Sequence, residues 1–212
     1  MGSNDGSGAG ATTGTDGDTT ATRLIEAAER RIAEAGVDGA SMRAINAEAG
    51  VNVAAAHYHF GSKQALVNAV LTHRMSHLAQ RRARYLSPLG TTDTPELGAV
   101  VEAFVRPLDE IRRDEPWGPT YLGFLAALAR AAQPWRNLLS EQAALHRSAF
   151  DAELARALPA LPPAVLRARF AWAALTIVTA LADAPTADGH NTHDVADTLI
   201  DYTTGALGAA HR

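Results

Sequence analysis

Cysteine is absent from the 212 residues, so disulfide bonds and cysteine-based zinc sites are excluded. This absence suits a reducing compartment, and we expect a cytoplasmic protein. No run of about 18 apolar residues is free of charge, so we expect no membrane-spanning segment. The N-terminus lacks a basic stretch followed by an apolar run, so we expect no secretory signal.

Patterns typical of β-strands are also missing. No window shows sustained alternation of apolar and polar residues, and Ala, Leu, Arg and Glu, which favour helix, dominate the chain. Hydrophobic residues make up 47% of the chain, enough for a buried core. The sequence therefore predicts an all-α globular protein.

Large apolar side chains are missing from residues 2–19, which consist of Gly, Ser, Thr, Asp, Asn and Ala. Such a segment buries too little surface to offset the entropy lost on ordering. We therefore predict a disordered tail over residues 1–19, followed by a DNA-binding domain at 20–66 and a second helical domain at 67–212.

Positive charge is scarce overall but concentrated in one region. The net charge is −4, yet residues 20–90 carry nine Lys or Arg against five Asp or Glu. A phosphate backbone responds to local charge within a Debye length of about 8 Å, so this basic region is compatible with nucleic-acid binding. A solvated basic surface is the alternative.

Capping residues predict four successive helices in the N-terminal region. The first covers about residues 22–35 and ends at Gly36, which suits the left-handed conformation after a helix. Ser41, Asn52 and Ser62 are good N-caps for helices at 42–49, 53–59 and 63 to about 86. Two short helices around residues 50–52 have the size of a helix-turn-helix.

The run Ala49-Gly50-Val51-Asn52, followed by Tyr58-His59-Phe60 and Ser62-Lys63 with Leu66, closely resembles the signature of the TetR family of transcription regulators. The resemblance covers residues 22–70. It implies an N-terminal three-helix helix-turn-helix DNA-binding domain and a helical C-terminal domain for ligand binding and dimerisation.

The resemblance also implies which residues contact DNA. Ser41, Arg43, Tyr58 and Lys63 would contact phosphates, and Lys63 is the only lysine in the chain. Base reading would fall to the start of the third helix. The full set of expected DNA contacts is Ser41, Arg43, Asn52, Val53, Ala54, Ala55, His57, Tyr58, His59 and Lys63.

Several of these positions have plainer alternatives. Tyr58 could be a partly buried core residue, Lys63 an ordinary exposed lysine, and His57 a solvent-facing side chain. Val53, Ala54 and Ala55 are small and apolar where relatives often carry polar residues. They can touch thymine methyl groups but form no bidentate hydrogen bonds, which places more weight on DNA shape.

Four arginines follow on the fourth helix, at Arg74, Arg81, Arg82 and Arg84. By the resemblance, this helix transmits ligand binding to the DNA-binding domain. We expect these arginines to form a solvated basic face.

The C-terminal region contains two groups of candidate residues. Aromatic and apolar side chains at helical spacing could line a ligand pocket, although such residues are often plain core: Phe104, Trp117, Tyr121, Phe124, Leu128, Trp135, His146 and Phe150. The last two helices, rich in alanine, could pair between subunits or form an intrachain core. The candidates there are Phe170, Trp172, Leu175, Val178, Leu199 and Tyr202.

The resemblance implies a homodimer that binds a palindromic double-stranded DNA operator and releases it when a small effector binds. The scarcity of charged residues among the apolar runs favours a hydrophobic or amphipathic effector. The region after Pro134 faintly resembles regulators that respond to fatty acids or acyl-CoA. We expect no cofactor and no metal.

Two other classes of protein are the alternatives to this regulator. A non-specific architectural DNA binder fits the net acidity poorly. An enzyme would need a catalytic motif, and only the weak metal-like run at residues 190–194 suggests one.

Overall fold

The computed structural model describes residues 13–185 and 194–210, and over these residues the chain is helical without a strand. This confirms the predicted all-α class. The helices are α1 Thr13–Gly39, α2 Met42–Ala49, α3 Val53–Phe60, α4 Lys63–Leu89, α5 Leu97–Asp114, α6 Gly118–Arg130, α7 Trp135–Leu145, α8 Ser148–Ala157, α9 Pro163–Asp183 and α10 Val195–Gly208.

Helix α1 is interrupted where the sequence predicts its end. Gly36 adopts φ +72° and ψ 167°, a backbone conformation that side-chain-bearing residues rarely adopt. Val37 then folds inwards and, like Ile32, is buried. Residues 37–39 form a short turn that leads to Ser41 and α2.

The beginning of α1 differs from the predicted tail. The helix starts at Thr13, so residues 13–19 are helical, while residues 1–12 of the predicted tail lie outside the described residues. Extending an existing helix costs far less than nucleating a new one, which allows weak helix formers to join its N-terminal end.

In the N-terminal domain, helices α1, α2 and α3 pack around the first turns of α4. Leu24 of α1, Ile45 of α2, and Leu66 of α4 are fully buried, and Ala56 of α3 is almost so. Phe60 is half-buried and packs against this core. Helix α3, the second helix of the predicted helix-turn-helix and hereafter called the recognition helix, therefore contacts the core through its inner face.

The two domains share one continuous core rather than meeting through a linker. Helix α1 packs against α6, and a Cβ atom placed on Gly123 would lie only 3.2 Å from the Cβ atom of Ala33. Movement of α6 must therefore displace α1, because protein cores pack closely.

Two segments of the C-terminal domain differ from the sequence pattern. Helix α5 continues through Pro107, although a proline inside a helix usually kinks or breaks it. The region from Pro134 to Leu158 has the sequence pattern of one helix, but the structure divides it at residues 146–147 into α7 and α8. This division lets Phe150 and Leu154 enter the core, where Phe150 packs against Phe104 with ring centroids 5.3 Å apart.

Helix α9 has an unusual balance of composition and burial. Among the described residues it is the one helix long and apolar enough to cross a membrane by length and composition, with a mean hydropathy of 1.5. Only 28% of that window is buried within the chain. One face carries buried Phe170, Ile177 and Leu181, and the other leaves apolar side chains uncovered.

Candidate DNA-binding surface and ligand cavity

Side-chain caps fix the ends of α2 and α3. The Ser41 hydroxyl accepts a hydrogen bond from the Ala44 amide at 3.1 Å, and the Asn52 Oδ1 accepts one from the Ala55 amide at 2.7 Å. Between them Gly50 adopts the left-handed conformation that ends α2. These bonds confirm both predicted N-caps and hold the two helices of the helix-turn-helix in a fixed relation.

The outer face of α3 is open to solvent. Val53 is 70% exposed, and Asn52, Ala54 and His57 are also exposed. Ala55 and His59 are half-buried. A duplex approaching this face would meet small side chains first, as the sequence suggests for the base-reading positions.

Tyr58 and the start of α2 provide polar groups beside that face. Tyr58 is 87% exposed, which removes the alternative of a core tyrosine. Ser41 and Arg43 are exposed at the N-terminal end of α2, where amide groups favour an anion. These three residues are thus accessible to a phosphate backbone.

Lys63 is turned toward protein rather than solvent. Its ammonium group donates a hydrogen bond to the Val37 carbonyl and lies 5.6 Å from the ring centroid of Trp135. Partial burial lowers the pKa of Lys63, and the nearby Asp38 opposes this shift. The ammonium group has two further N–H donors, so Lys63 could reach a phosphate either from this position or after its side chain leaves Val37 and Trp135.

The prediction that the four arginines of α4 form a solvated face is wrong for Arg74 and Arg82. Arg74 and Arg82 are 6% and 5% exposed. Arg81 and Arg84 instead lie nearer the surface and form ion pairs with acidic residues at the end of α5, including Glu110. The buried pair occupies the inner face of α4, on which Leu71, Met75 and Leu78 also lie.

Arg74 is paired with a carboxylate and an aromatic ring. Its Nη2 and Nε donate to the Glu29 carboxylate at 2.7 and 3.0 Å, and its guanidinium carbon lies 4.0 Å from the Trp117 ring centroid. Burial raises the pKa of Glu29, and the hydrogen bond from Arg74 counteracts it. This pair joins α1, α4 and the N-terminal end of α6.

A cavity of about 530 Å³ lies in the C-terminal domain, within the range of small-molecule sites. Most of its wall is apolar, and its charged lining residues are all arginines. Helix α4 contributes Met75, Leu78 and Arg82. The remaining wall comprises Phe104, Leu108, Leu125, Ala129, Arg136, Asn137, Leu139, Ser140, Ala143, Arg147, Ala171, Trp172, Ala174, Leu175 and Val178.

The residues expected to bind a ligand are distributed between the cavity and the core. Phe104 lines the main cavity, and His146 lines a smaller neighbouring cavity of about 310 Å³. Trp117 packs beside Tyr121, and Trp135 beside Lys63. Tyr121, Phe124, Leu128 and Phe150 are buried in the core and do not line the main cavity.

The residues expected at a dimer interface also fall into two groups. Phe170 and Leu199 are buried within the chain, whereas Trp172, Leu175 and Tyr202 are 71%, 40% and 62% exposed. Val178 is half-buried. Trp172, Leu175 and Val178 line the cavity as well, so the uncovered face of α9 borders its entrance.

No cluster of three or more metal-ligating side chains occurs within residues 13–185 and 194–210. The weak metal-like run at residues 190–194 falls largely outside the described residues. The structure thus adds nothing to that interpretation.

Two family models match the chain and together span most of both domains. The model of the bacterial regulatory proteins of the tetR family matches residues 24–70. The model of the tetracyclin repressor-like C-terminal domain matches residues 102–206. The chain belongs to the TetR family of bacterial regulatory proteins, as its sequence signature suggested. Its N-terminal domain is the TetR-type DNA-binding domain.

Solved structures of similar fold cover nearly the whole chain at low identity. The TetR-family regulator PfmR from Thermus thermophilus is 18% identical with a TM-score of 0.56, covering 90% of this chain and 100% of its own. NalD of Pseudomonas aeruginosa, the secondary repressor of the MexAB-OprM multidrug efflux pump, is 18% identical with a TM-score of 0.59 and coverages of 90% and 96%.

AibR, solved in complex with isovaleryl coenzyme A and operator DNA, is 19% identical, with a TM-score of 0.58 and coverages of 89% and 97%. A comparison with curated protein sequences gives no significant match. At these identities the solved structures establish the fold alone.

Proposed function

We propose that this protein is a homodimeric transcription regulator that acts in the cytoplasm and binds a palindromic operator. A small hydrophobic or amphipathic molecule releases it from that operator. Repression is the expected sign, because a dimer seated on a promoter blocks polymerase. The observation that carries the proposal is the course of α4, which begins beside the recognition helix and forms one wall of the cavity.

The exposed residues of α2 and α3 support DNA binding. Ser41, Arg43 and Tyr58 would position the phosphate backbone, and Lys63 would join them. Asn52, Val53, Ala54 and Ala55 would face the bases, with His57 and His59 beside them. The small side chains favour thymine methyl contacts and readout of DNA shape.

Helices α9 and α10 support a homodimer. Trp172 and Leu175 are exposed apolar side chains on α9, a helix with little burial within its own chain, and Tyr202 is exposed on the adjacent α10. Pairing with a second copy would remove these side chains from water, and exposed apolar patches mark interaction sites on soluble proteins. The second copy would also cover part of the cavity entrance.

Release follows from linkage between the two sites. Two recognition helices must meet half-sites about 34–36 Å apart. An effector that binds better to a dimer with another spacing weakens DNA binding, and DNA weakens effector binding by the same factor. Two helices connect the cavity to the DNA-binding domain. Helix α4 runs from one to the other, and α6 lines the cavity and packs against α1.

Selection of random-sequence DNA on the purified full chain tests the proposal. An enriched palindrome with two half-sites is the expected result. A folded dimer that enriches no sequence contradicts the proposal, and a salt titration then identifies non-specific binding by uniform loss of affinity on all DNA.

Exchange of Tyr202 for Glu tests the dimer. The charged variant should sediment as a monomer at micromolar concentration, because a carboxylate is costly to bury without a partner. Tyr58→Glu, an exposed tyrosine in the DNA-binding domain, is the control and should stay dimeric. Dimeric Tyr202→Glu would place the interface elsewhere.

A further inference from the structure

Arg82 is a buried charge without a partner in the described part of the chain. It is 5% exposed, makes no ion pair or hydrogen bond there, and its Nε is fully buried and unsatisfied. Its guanidinium carbon lies 4.7 Å from the ring centroid of Phe104. Burial lowers the pKa of Arg82 to about 10, so the side chain is still cationic at neutral pH.

Arg74, eight residues earlier on the same helix, shows how this fold treats a buried guanidinium when the need is structural. Glu29 meets Arg74 with two hydrogen bonds below 3.1 Å. Buried charges in proteins are normally paired in this way, because an unpaired one is strongly unfavourable. Arg82 has no such acid, and it faces a cavity.

The other charged groups around Arg82 do not supply the missing anion. Arg147 adds positive charge, and Asp151 is already engaged by Arg147 at 2.8 Å. The Tyr121 hydroxyl is neutral, since burial raises its pKa. The neighbouring Glu153 pairs with Arg156.

The lining of the cavity as a whole also has positive side chains without negative ones. Its lining includes Arg82, Arg136 and Arg147 but no Asp or Glu. Arg136 is exposed, Arg147 is half-buried, and Arg82 is the most deeply buried of the three. The remaining wall is mainly aliphatic and aromatic. The cavity therefore has a mainly apolar wall with one deeply buried cationic side chain, Arg82.

We propose that the effector is an amphipathic anion, with an apolar body that fills the cavity and a carboxylate or phosphate-ester head that pairs with Arg82. This assignment rests on the proposed function in taking the cavity as the effector site. The planar guanidinium fork matches both oxyanions with paired hydrogen bonds.

The position of Arg82 gives this pairing a route to the DNA-binding domain. Arg82 and Lys63 lie on one continuous helix, 19 residues apart, which corresponds to about 28 Å along the axis. An anion bound at Arg82 therefore acts directly on the helix that begins beside the recognition helix.

Binding titrations with three matched ligand series test the assignment. The probes are straight-chain alkanoates, alkyl phosphates and alkanols of six to twelve carbons, each titrated against the full chain at concentrations at which it is monomeric in solution. We expect one anionic series to bind at least tenfold tighter than the alkanols of equal length. The better anionic series identifies the head group. Equal affinity of anions and alcohols at every length overturns the proposal.

Two arginine variants locate the charge. Arg82→Met should reduce the anion preference to about twofold or less, whereas Arg84→Met, an exposed arginine on the same helix, should keep it. Retained preference in Arg82→Met overturns the assignment. Removal of an unpaired buried charge should also leave the melting temperature of the ligand-free protein unchanged or higher. A sharp fall would assign Arg82 to the fold instead and overturn the proposal.

These measurements separate the inference from the proposed function. If the anion preference depends on Arg82 but the protein selects no DNA sequence, the proposed regulator function is wrong and the anion site stands. If the protein selects a palindrome but shows no anion preference, the regulator function stands and the anion site is wrong.

Discussion

The DNA-binding surface and the cavity are built in opposite ways. The first comes from one stretch of about two dozen residues, Ser41 to Lys63, in which the start of each helix is fixed by the side chain of its N-cap residue. The second takes its wall from α4, α5, α6, α7 and α9, together with Arg147. Local bonds define the first region, and packing between distant segments defines the second.

The largest predicted effect lies where the two regions meet. Glu29→Gln should leave Arg74 buried without a counter-charge and lower the free energy of unfolding by about 3–5 kcal/mol. Urea unfolding measures it. Glu26→Gln, an exposed acid on the same helix, is the control and should change stability by less than about 0.5 kcal/mol. Equal, small losses in both variants would mean that the two regions do not depend on this pair.

The local region was predictable from the sequence because its determinants are local. Ser41, Asn52 and Ser62 were predicted as N-caps, and each accepts a hydrogen bond from an amide three residues later. Such a bond depends on neighbouring residues, so it can be inferred without knowledge of the tertiary fold.

The cavity was less predictable because its determinants are distant. Phe104 was assigned to the cavity, but Tyr121 and Phe124 could not be separated from it, since aromatic spacing alone does not distinguish a core from a cavity wall. Arg74 and Glu29 are 45 residues apart, so the pairing that distinguishes Arg74 from Arg82 is tertiary. One signal was available: Arg82 continues the helical spacing of Leu71, Met75 and Leu78.

Lys63→Ala sharpens the comparison on the DNA side. We expect binding to all sequences to fall alike by about 1.5–3 kcal/mol, the cost of a charge-assisted hydrogen bond, and the salt dependence to become shallower. Filter binding on several unrelated duplexes checks it, with the exposed neighbour Gln64→Ala as control. Loss confined to one sequence would contradict a phosphate contact.

Ala54→Gln addresses base reading, which we expect to depend on the outer face of α3. A longer polar side chain at this exposed position should shift the preferred sequence by about 1–3 kcal/mol at one base pair. Repeating the DNA selection with this variant measures the change. An unchanged preferred site would place the reading face away from Ala54.

Arg84→Gln should have the smallest effect on either region. Its side chain is 64% exposed, and Glu110 keeps hydrogen bonds from Arg81 and Tyr85 without it, so the pair should contribute about 1 kcal/mol or less to stability. Unfolding and DNA binding should both stay close to wild type. A large loss of DNA affinity would show that the solvent side of α4 also belongs to the DNA-binding surface.

The contact between Lys63 and Trp135 has a spectroscopic consequence. The chain has three tryptophans, and they occupy separate environments: Trp135 beside the only lysine, Trp117 against Arg74, and Trp172 at the cavity entrance. A cation close to an indole ring perturbs its fluorescence, so transfer of Lys63 to a phosphate would change the emission of Trp135. With the other two tryptophans replaced by phenylalanine, the protein would report its own engagement with DNA without an added label.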